Sequence, residues 1–250
     1  MLLKKKLNNM DVYKLLILQF TAHVLSDYIF QSQNCSDEKE KNGFKSKYLY
    51  RHILITFLFS AVLSFQFNFI LFAVIISGVH LFLDGIKKYM LKIKQIKKYL
   101  YFGDQILHIL VIAGLVFIFD KNCEYHFLTN IPKIKYLLYL LAYILMLKPA
   151  NILIREIFRF FEIKLETLRT EKDELPNAGK LIGITERILT LTLIILGQYA
   201  AIGFIMAAKS ILRFKETQTQ KAEYVLIGTM LSFGIAIITG IFVQNLIAVL

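Results

Sequence analysis

The sequence predicts an all-α, polytopic integral membrane helical bundle with about seven to eight transmembrane helices and one interfacial lysine-rich helix. Three observations lead to this fold class. Hydrophobic residues make up 56% of the 250 residues, with a mean hydropathy of +0.56, whereas soluble globular chains are about 45–50% apolar. The apolar residues come in runs of roughly 15–20, the length of a membrane span. The Lys and Arg residues behind the net charge of +12 lie between these runs, which is typical of topology signals and excludes a nucleic-acid interface.

The predicted spans form a single integral membrane domain over residues 1–250. Residues 12–120 make a predicted four-helix half, and residues 134–250 make a carboxy-terminal helical half. The predicted spans cover residues 12–30, 51–65, the stretch from the turn at 66–68 to 84, 104–119, 134–147, two short spans within 181–214, and 224–250.

The segments before and between the predicted spans also have predicted structures. No small-residue cleavage site follows the first apolar run, so that run is interpreted as a retained span. Pro149 predicts a kink at the end of the fifth span. Residues 151–168 continue at helical spacing and lead to a solvated loop, so that residues 151–180 form a predicted cytoplasmic segment. A turn near Gly197–Gln198 separates the two short spans.

The lysine-rich connector between residues 84 and 104 predicts a helix lying in the membrane interface. Its apolar face would point into the bilayer and its basic face toward anionic headgroups. Ordinary headgroup anchoring is the simpler interpretation, and a funnel for an anionic substrate is the alternative. The apolar positions are Ile86, Tyr89, Met90, Ile93, Ile96 and Leu100, and the lysines are those at 87, 88, 92, 94, 97 and 98.

The distribution of Lys and Arg predicts the orientation. Connectors after the first, third, fifth and seventh spans are rich in basic residues, which places them in the cytoplasm and both termini outside. The three lysines at positions 4–6 oppose this assignment.

Three histidine–aspartate pairs provide the main functional signal. Each pair is spaced four residues apart, so both side chains share one helix face. With alternating crossings, all three pairs and His52 lie at one depth near the cytoplasmic face. Ionisable groups inside a membrane need partners and indicate a functional site. The pairs are His23 with Asp27, His80 with Asp84, and Asp104 with His108.

Imidazole and carboxylate groups at one depth predict a divalent-metal site for Zn, Mn or Fe. A bound metal would supply an activated water near neutral pH. Asp27 and His52 are candidate catalytic bases, and His52 and Gln105 are candidates for orienting the ligands. The alternative is a set of hydrogen bonds and ion pairs that only fixes helix packing. The candidate metal ligands are His23, Asp27, His80, Asp84, Asp104 and His108.

Three further sets of residues have simpler interpretations. The cysteines, Cys35 and Cys123, fall in loops on opposite faces, so neither a disulfide nor a thiolate metal site is expected. His126 lies in a non-cytoplasmic loop and carries no predicted role. A carboxy-terminal set predicts a structural ion-pair cluster, with an anion-binding clamp as the alternative. That set is Glu186, Arg187, Lys209, Ser210, Arg213 and Glu223.

Several sequence blocks carry a family resemblance: AHVLSDYIFQ at 22–31, HLFLD at 80–84, DQILH at 104–108, and the blocks between 177 and 233. With these, the chain resembles an uncharacterised bacterial inner-membrane protein family, domain of unknown function 3307. The resemblance covers nearly the whole chain, and the carboxy-terminal blocks are its most specific part. It implies a multi-pass protein of the bacterial cytoplasmic membrane, and it implies no activity.

Three functions are compatible with these patterns. The first is a metal-dependent membrane hydrolase acting on an anionic or lipid-phosphate substrate. The second is an ion- or proton-coupled transporter, which requires polar groups through the whole bilayer. The third is a non-enzymatic scaffold that binds a cytoplasmic protein partner through residues 151–180.

Overall fold

The computed structural model describes residues 2–163, 178–212 and 219–250. Within these ranges the chain is helical and contains no strand. The all-α class predicted from the sequence is therefore confirmed. The chain forms two compact units, Met1–Leu141 and Ala142–Leu250.

The first unit is built from long helices that run back and forth. α1 ends in one π-helical turn, and two shorter helices lie in the connections. The elements are α1 (Leu2–Val24), the π turn (Leu25–Ile29), α2 (Gln33–Asn42), α3 (Lys47–Leu63), α4 (Ile70–Met90), α5 (Lys94–Lys97) and α6 (Leu100–Asn122).

Helices α1, α3, α4 and α6 pack side by side. Phe65, with a φ of 52°, lies in the tight turn between α3 and α4. Because α3 and α4 are antiparallel, the start of α3 and the end of α4 lie at one end of the unit. The other end is filled by an apolar cluster. Its buried members are Val12, Leu15, Phe69, Ala73, Ile76, Ile112, Val116 and Phe119.

The second unit begins within α7 (Ile134–Met146) and continues with α8 (Lys148–Phe160). These two helices are bent by 50° at Leu147. Pro149 lacks the N–H that would continue the hydrogen-bond ladder of α7, which explains the break. The predicted kink is confirmed.

Three more helices complete the second unit. α9 (Ala178–Ile195) and α10 (Tyr199–Leu212) are joined by a turn at Gly197, and α11 (Thr219–Val249) packs against α9. Gly197 has a φ of +71°, a left-handed conformation that glycine adopts without strain. The turn predicted at Gly197–Gln198 is confirmed.

The predicted number of membrane crossings is too high. Within the described residues, three helical segments are long and apolar enough to cross a membrane, namely Phe67–Met90, Leu100–Asn122 and Ala222–Val249. The bent pair α7–α8 makes a fourth if it counts as one span. The chain is thus compatible with a membrane protein of three or four such spans, not seven or eight.

Helix length and charge explain the difference. α10 has 14 residues, or about 21 Å at 1.5 Å per residue, which is shorter than a hydrocarbon core of about 30 Å. α3 has 17 residues, and α9 contains Lys180, Glu186 and Arg187. α1 is diluted by polar residues such as Asp11 and Lys14.

The prediction of one continuous interfacial helix in the lysine-rich connector is also wrong. α4 extends through the first half of the lysine-rich connector to Met90 and is followed by a turn. The only other helix in the connector is α5, which has four residues. The spacing of apolar residues continues across the turn although the helix does not.

Some predicted features fall where the chain is not described. The helix predicted over 151–168 is described as α8 and the residues up to 163. The remainder of that helix, most of the solvated loop and Arg213 lie outside the described residues.

Candidate metal centre

The histidines and aspartates of the first unit converge at one end of α1, α3, α4 and α6. α1 and α4 end there, whereas α3 and α6 begin there. The structure therefore brings the predicted site residues together at one end of the bundle. All but one of the seven side chains are buried, and Asp27 is nearly so; the residues are His23, Asp27, His52, His80, Asp84, Asp104 and His108.

Asp27 lies at the middle of the histidines. It stands in the π turn that follows α1, and such wide turns are rare and often mark functional sites. Its Oδ1 atom is 3.4 Å from His23 Nδ1 and 3.4 Å from His80 Nε2. The same oxygen is 3.6 Å from His52 Nε2, which is itself 3.0 Å from His80 Nε2. Three imidazole nitrogens thus face one carboxylate oxygen.

Gln105 sets the tautomer of His23. The Gln105 Nε2 amide donates to Asp104 Oδ2 at 3.1 Å, which turns its Oε1 toward His23 Nε2 at 3.3 Å. Tyr28 donates its hydroxyl to the same Oε1 at 2.8 Å. Since an amide oxygen only accepts, the neutral form of His23 carries its proton on Nε2 and presents the Nδ1 lone pair. That Nδ1 is buried and has no hydrogen-bond partner. The role predicted for Gln105, orienting a ligand, is consistent with this contact.

His108 is oriented in a similar way. Its Nδ1 lies 2.8 Å from the backbone carbonyl of Asp104, which accepts the Nδ1 proton. Its Nε2 is left as a buried lone pair without a hydrogen-bond partner. The His108 ring lies 4.1 Å from the His80 ring, centroid to centroid. Two buried imidazole nitrogens of this cluster therefore have no hydrogen-bond partner, and buried polar atoms in that state are uncommon.

Two lysines enter the cluster, and neither is among the predicted site residues. Lys39 of α2 lies 2.6 Å from Asp84 Oδ2 and 3.0 Å from Gln31 Oε1. Lys87 bridges Asp84 Oδ1 at 2.6 Å and Asp104 Oδ2 at 2.7 Å. Asp84 and Asp104, predicted as metal ligands, are thus neutralised by ammonium groups. Asp27 has no lysine within ion-pair distance among the described residues.

α2 covers the cluster from outside. Ser32 caps its first turn by accepting from the N–H of Cys35, and Gly43, at a φ of +56°, turns the chain back onto α4. The ring of Phe44 then lies directly over Gly85, where a Cβ atom would come within 2.2 Å of it. This close approach needs glycine at position 85 and brings Lys39 to Asp84.

A small cavity of about 10 Å³, lined by both polar and apolar side chains, adjoins His23 and His80 toward the middle of the bundle. This is about the smallest volume that holds one water. Gln19 and Ser60 hydrogen-bond each other across its wall, at 3.0 and 2.6 Å, and Thr56 also lines it. Beyond these residues the apolar cluster fills the bundle. The polar groups extend inward from the centre, and buried Ser64 and Gln66 follow at the opposite end beside the apolar cluster.

The carboxy-terminal set behaves as two separate contacts within the second unit. Glu186 forms an ion pair with Lys209, which confirms part of the predicted cluster. Arg187 is buried, and no carboxylate lies within ion-pair distance of it among the described residues. Its guanidinium donates to four oxygen atoms: Met146 O at 2.9 Å, Leu147 O at 3.5 Å, Ser232 Oγ at 3.0 Å and Asn151 Oδ1 at 2.7 Å.

A comparison with protein families gives one match. The family described as "Protein of unknown function (DUF3307)" matches residues 15–145. The chain belongs to this family. The matched segment includes every candidate ligand from His23 to His108, and it ends before the carboxy-terminal blocks that carried much of the resemblance. No curated protein and no solved structure matches the chain.

Proposed function

We propose that this DUF3307 protein is a membrane protein whose first unit binds a divalent transition-metal ion. The ligands are His23 Nδ1, Asp27 Oδ1 and His80 Nε2, with His52 Nε2 beside them. The observation that carries the proposal is the convergence of three imidazole nitrogens on Asp27 Oδ1 at 3.4–3.6 Å. Lone pairs that face one another in a buried site repel unless a cation or proton lies between them.

The donor set fits the metals predicted from the sequence. Zinc bonds to His nitrogen and carboxylate oxygen are about 2.0–2.2 Å, which separates neighbouring donors in a tetrahedron by about 3.3–3.6 Å. The distances around Asp27 Oδ1 lie close to this range. Three groupings have suitably close donor atoms: His23, Asp27 and His80; His52, His80 and Asp84; and Asp84, Asp104 and His108. The first contains the carboxylate that no lysine neutralises.

The reaction we assign to this centre is hydrolysis of an anionic, phosphate-containing substrate, with a lipid phosphate as the preferred class. The bound metal would supply an activated water. Lys39 and Lys87 would bind substrate oxygens, because their ammonium groups already lie within the cluster. His52 is the proposed base, since its Nε2 lies close to both Asp27 and Asp84. Asp27 serves as a ligand in this proposal and not as the base.

Transport of the cation or of protons is the second candidate. It is favoured by the cavity and the buried polar residues Gln19, Thr56 and Ser60, which lead inward from the histidines. The cavity has room for only about one water, which favours a closed site over a conduction path. Buried Ser64 and Gln66 nevertheless continue the polar residues to the far end. The scaffold function remains a prediction, because much of the segment it requires lies outside the described residues.

Metal analysis tests the binding proposal. Protein purified in detergent and loaded with Zn²⁺ or Mn²⁺ is expected to retain about one ion per chain by elemental analysis, and His80→Ala is expected to lose it. His126→Ala is the matched control, because the His126 side chain is 65% exposed and lies outside the cluster.

Two outcomes would contradict the binding proposal. One is a wild-type protein that retains no ion after loading, and the other is equal retention by His80→Ala. If His80→Ala fails to fold, Asp27→Asn replaces it, since the amide keeps the shape of the side chain and removes its charge.

A paired assay separates hydrolysis from transport. Metal-loaded wild type is expected to release phosphate from phosphatidic acid in mixed micelles, and His52→Gln is expected to lower the rate about 10²–10⁴-fold. In proteoliposomes enclosing a Mn²⁺-sensitive dye, no ion entry above protein-free vesicles is expected. Dye quenching without phosphate release would replace the hydrolase assignment by the transporter.

A further inference from the structure

The end of the first unit that holds the metal centre also carries a band of exposed basic and tyrosine side chains. We call this band the collar. It combines the start of α3 and the residues just before it with the end of α4 and the connector to α6. Its members are Lys45, Lys47, Arg51, Lys92, Lys97 and Lys98, and the tyrosines Tyr48, Tyr50, Tyr89 and Tyr99.

The two parts of the collar belong to one surface. Gly43 lies against Gly85 and Lys88 of α4, and the Phe44 ring covers Gly85, so the segment before α3 is held beside the end of α4. Lys87 joins the end of α4 to Asp104 near the start of α6. Both contacts bring the connector and the start of α3 to the same end of the bundle.

The tyrosines mark the level of a membrane interface. Tyr48, Tyr50, Tyr89 and Tyr99 are 43%, 54%, 59% and 50% exposed. Tyrosines on a membrane protein concentrate at the headgroup level, where the ring contacts the acyl boundary and the hydroxyl reaches water. Large aliphatic and phenylalanine side chains are exposed further along the same helices, among them Leu54 and Leu58 of α3. The exposed surface thus changes from apolar to aromatic and basic at the collar.

We propose that the collar binds the headgroups of anionic phospholipids in the adjoining leaflet. Charge complementarity supports the proposal, because six exposed Lys and Arg side chains would face the phosphate groups. The four tyrosines place these side chains at the headgroup level. Each Lys or Arg near an anionic membrane surface strengthens binding by about fivefold. A leaflet bound at this level would place phosphate headgroups next to α2 and the lysines of the metal centre. This inference does not depend on metal binding.

Lipid binding can be measured directly. Wild-type protein in detergent is titrated with phosphatidylglycerol or phosphatidylcholine, and bound lipid is counted by native mass spectrometry. Preference for phosphatidylglycerol is expected, and the triple variant Lys92→Gln/Lys97→Gln/Lys98→Gln is expected to bind it on the order of 100-fold more weakly. Raised salt should weaken binding in the wild type more than in the variant.

The matched control lies in the loop that begins α7. Lys133→Gln/Lys135→Gln removes basic residues outside the collar and is expected to leave binding of phosphatidylglycerol unchanged. Equal binding of the two lipids by the wild type, or an equal loss in the control, would overturn the collar proposal. If metal-free protein still prefers phosphatidylglycerol, the proposal of lipid binding at the collar is supported. Metal binding is tested separately by elemental analysis.

Discussion

Replacement of Arg187 by methionine is expected to lower the free energy of unfolding by about 3–5 kcal/mol. The guanidinium donates to four oxygens that are largely withdrawn from water, and each buried acceptor that loses its donor costs about 1–3 kcal/mol. The expected loss of unfolding free energy is smaller than the sum over the four acceptors, because the oxygens relax toward other donors. Unfolding of the purified protein by titration with SDS measures the change.

The break between α7 and α8 explains why Arg187 contributes this much to the free energy of unfolding. A helix end leaves its last carbonyls without intrahelical partners, and Met146 O and Leu147 O stand at the break that Pro149 imposes. Arg187 supplies their donors. Its positive charge also interacts favourably with the negative end of the α7 dipole, which compensates for the lack of a carboxylate partner.

Two further variants test this explanation. Arg159→Met is the matched control, because the Arg159 side chain is 66% exposed and its ion pair with Glu156 is near the surface; a change below about 1 kcal/mol is expected. Arg187→Lys keeps the charge but cannot reach four oxygens in a planar arrangement, so an intermediate loss is expected. A loss for Arg187→Met no larger than that for Arg159→Met would contradict the assigned role.

The convergence of the histidines and aspartates could be predicted because it depends only on local spacing and alternating direction. Residues four apart share a helix face, and the ends of α1 and α4 must meet the starts of α3 and α6. Lys87 could have been found by the same rule, since it stands three residues after Asp84. The basic pattern of the connector instead predicts that Lys87 faces the lipid headgroups.

Lys39 could not be predicted from spacing. Its contact with Asp84 spans 45 residues and depends on the turn at Gly43 and on the Phe44 ring lying over Gly85. Both are tertiary contacts without a periodic signal. The number of spans was overestimated because mean apolarity counts α9 and α10 as spans. α9 contains three charged residues, and the turn at Gly197 leaves α10 with 14 residues.

Replacement of Lys87 by methionine decides whether the cluster is suited to a cation or only to fixed ion pairs. In the presence of EDTA, the variant is expected to unfold more easily than the wild type by about 3–5 kcal/mol, because buried Asp84 and Asp104 lose the ammonium group between them. The same substitution frees Asp84, Asp104 and His108, whose donor atoms lie within 4.8 Å of one another. Added Zn²⁺ or Mn²⁺ should then occupy the position of the ammonium group.

The metal is therefore expected to stabilise Lys87→Met more than it stabilises the wild type, by about 2.7 kcal/mol at a hundredfold excess over the dissociation constant. Lys92→Met is the control, since Lys92 is exposed on the connector, and its stability should follow the wild type with and without metal. The double variant Lys87→Met/Asp104→Asn should lose the additional stabilisation, because one carboxylate of the new site is gone. If the metal stabilises Lys87→Met no more than the wild type, these carboxylates serve helix packing through their lysines, and a metal site is confined to Asp27 and the histidines around it.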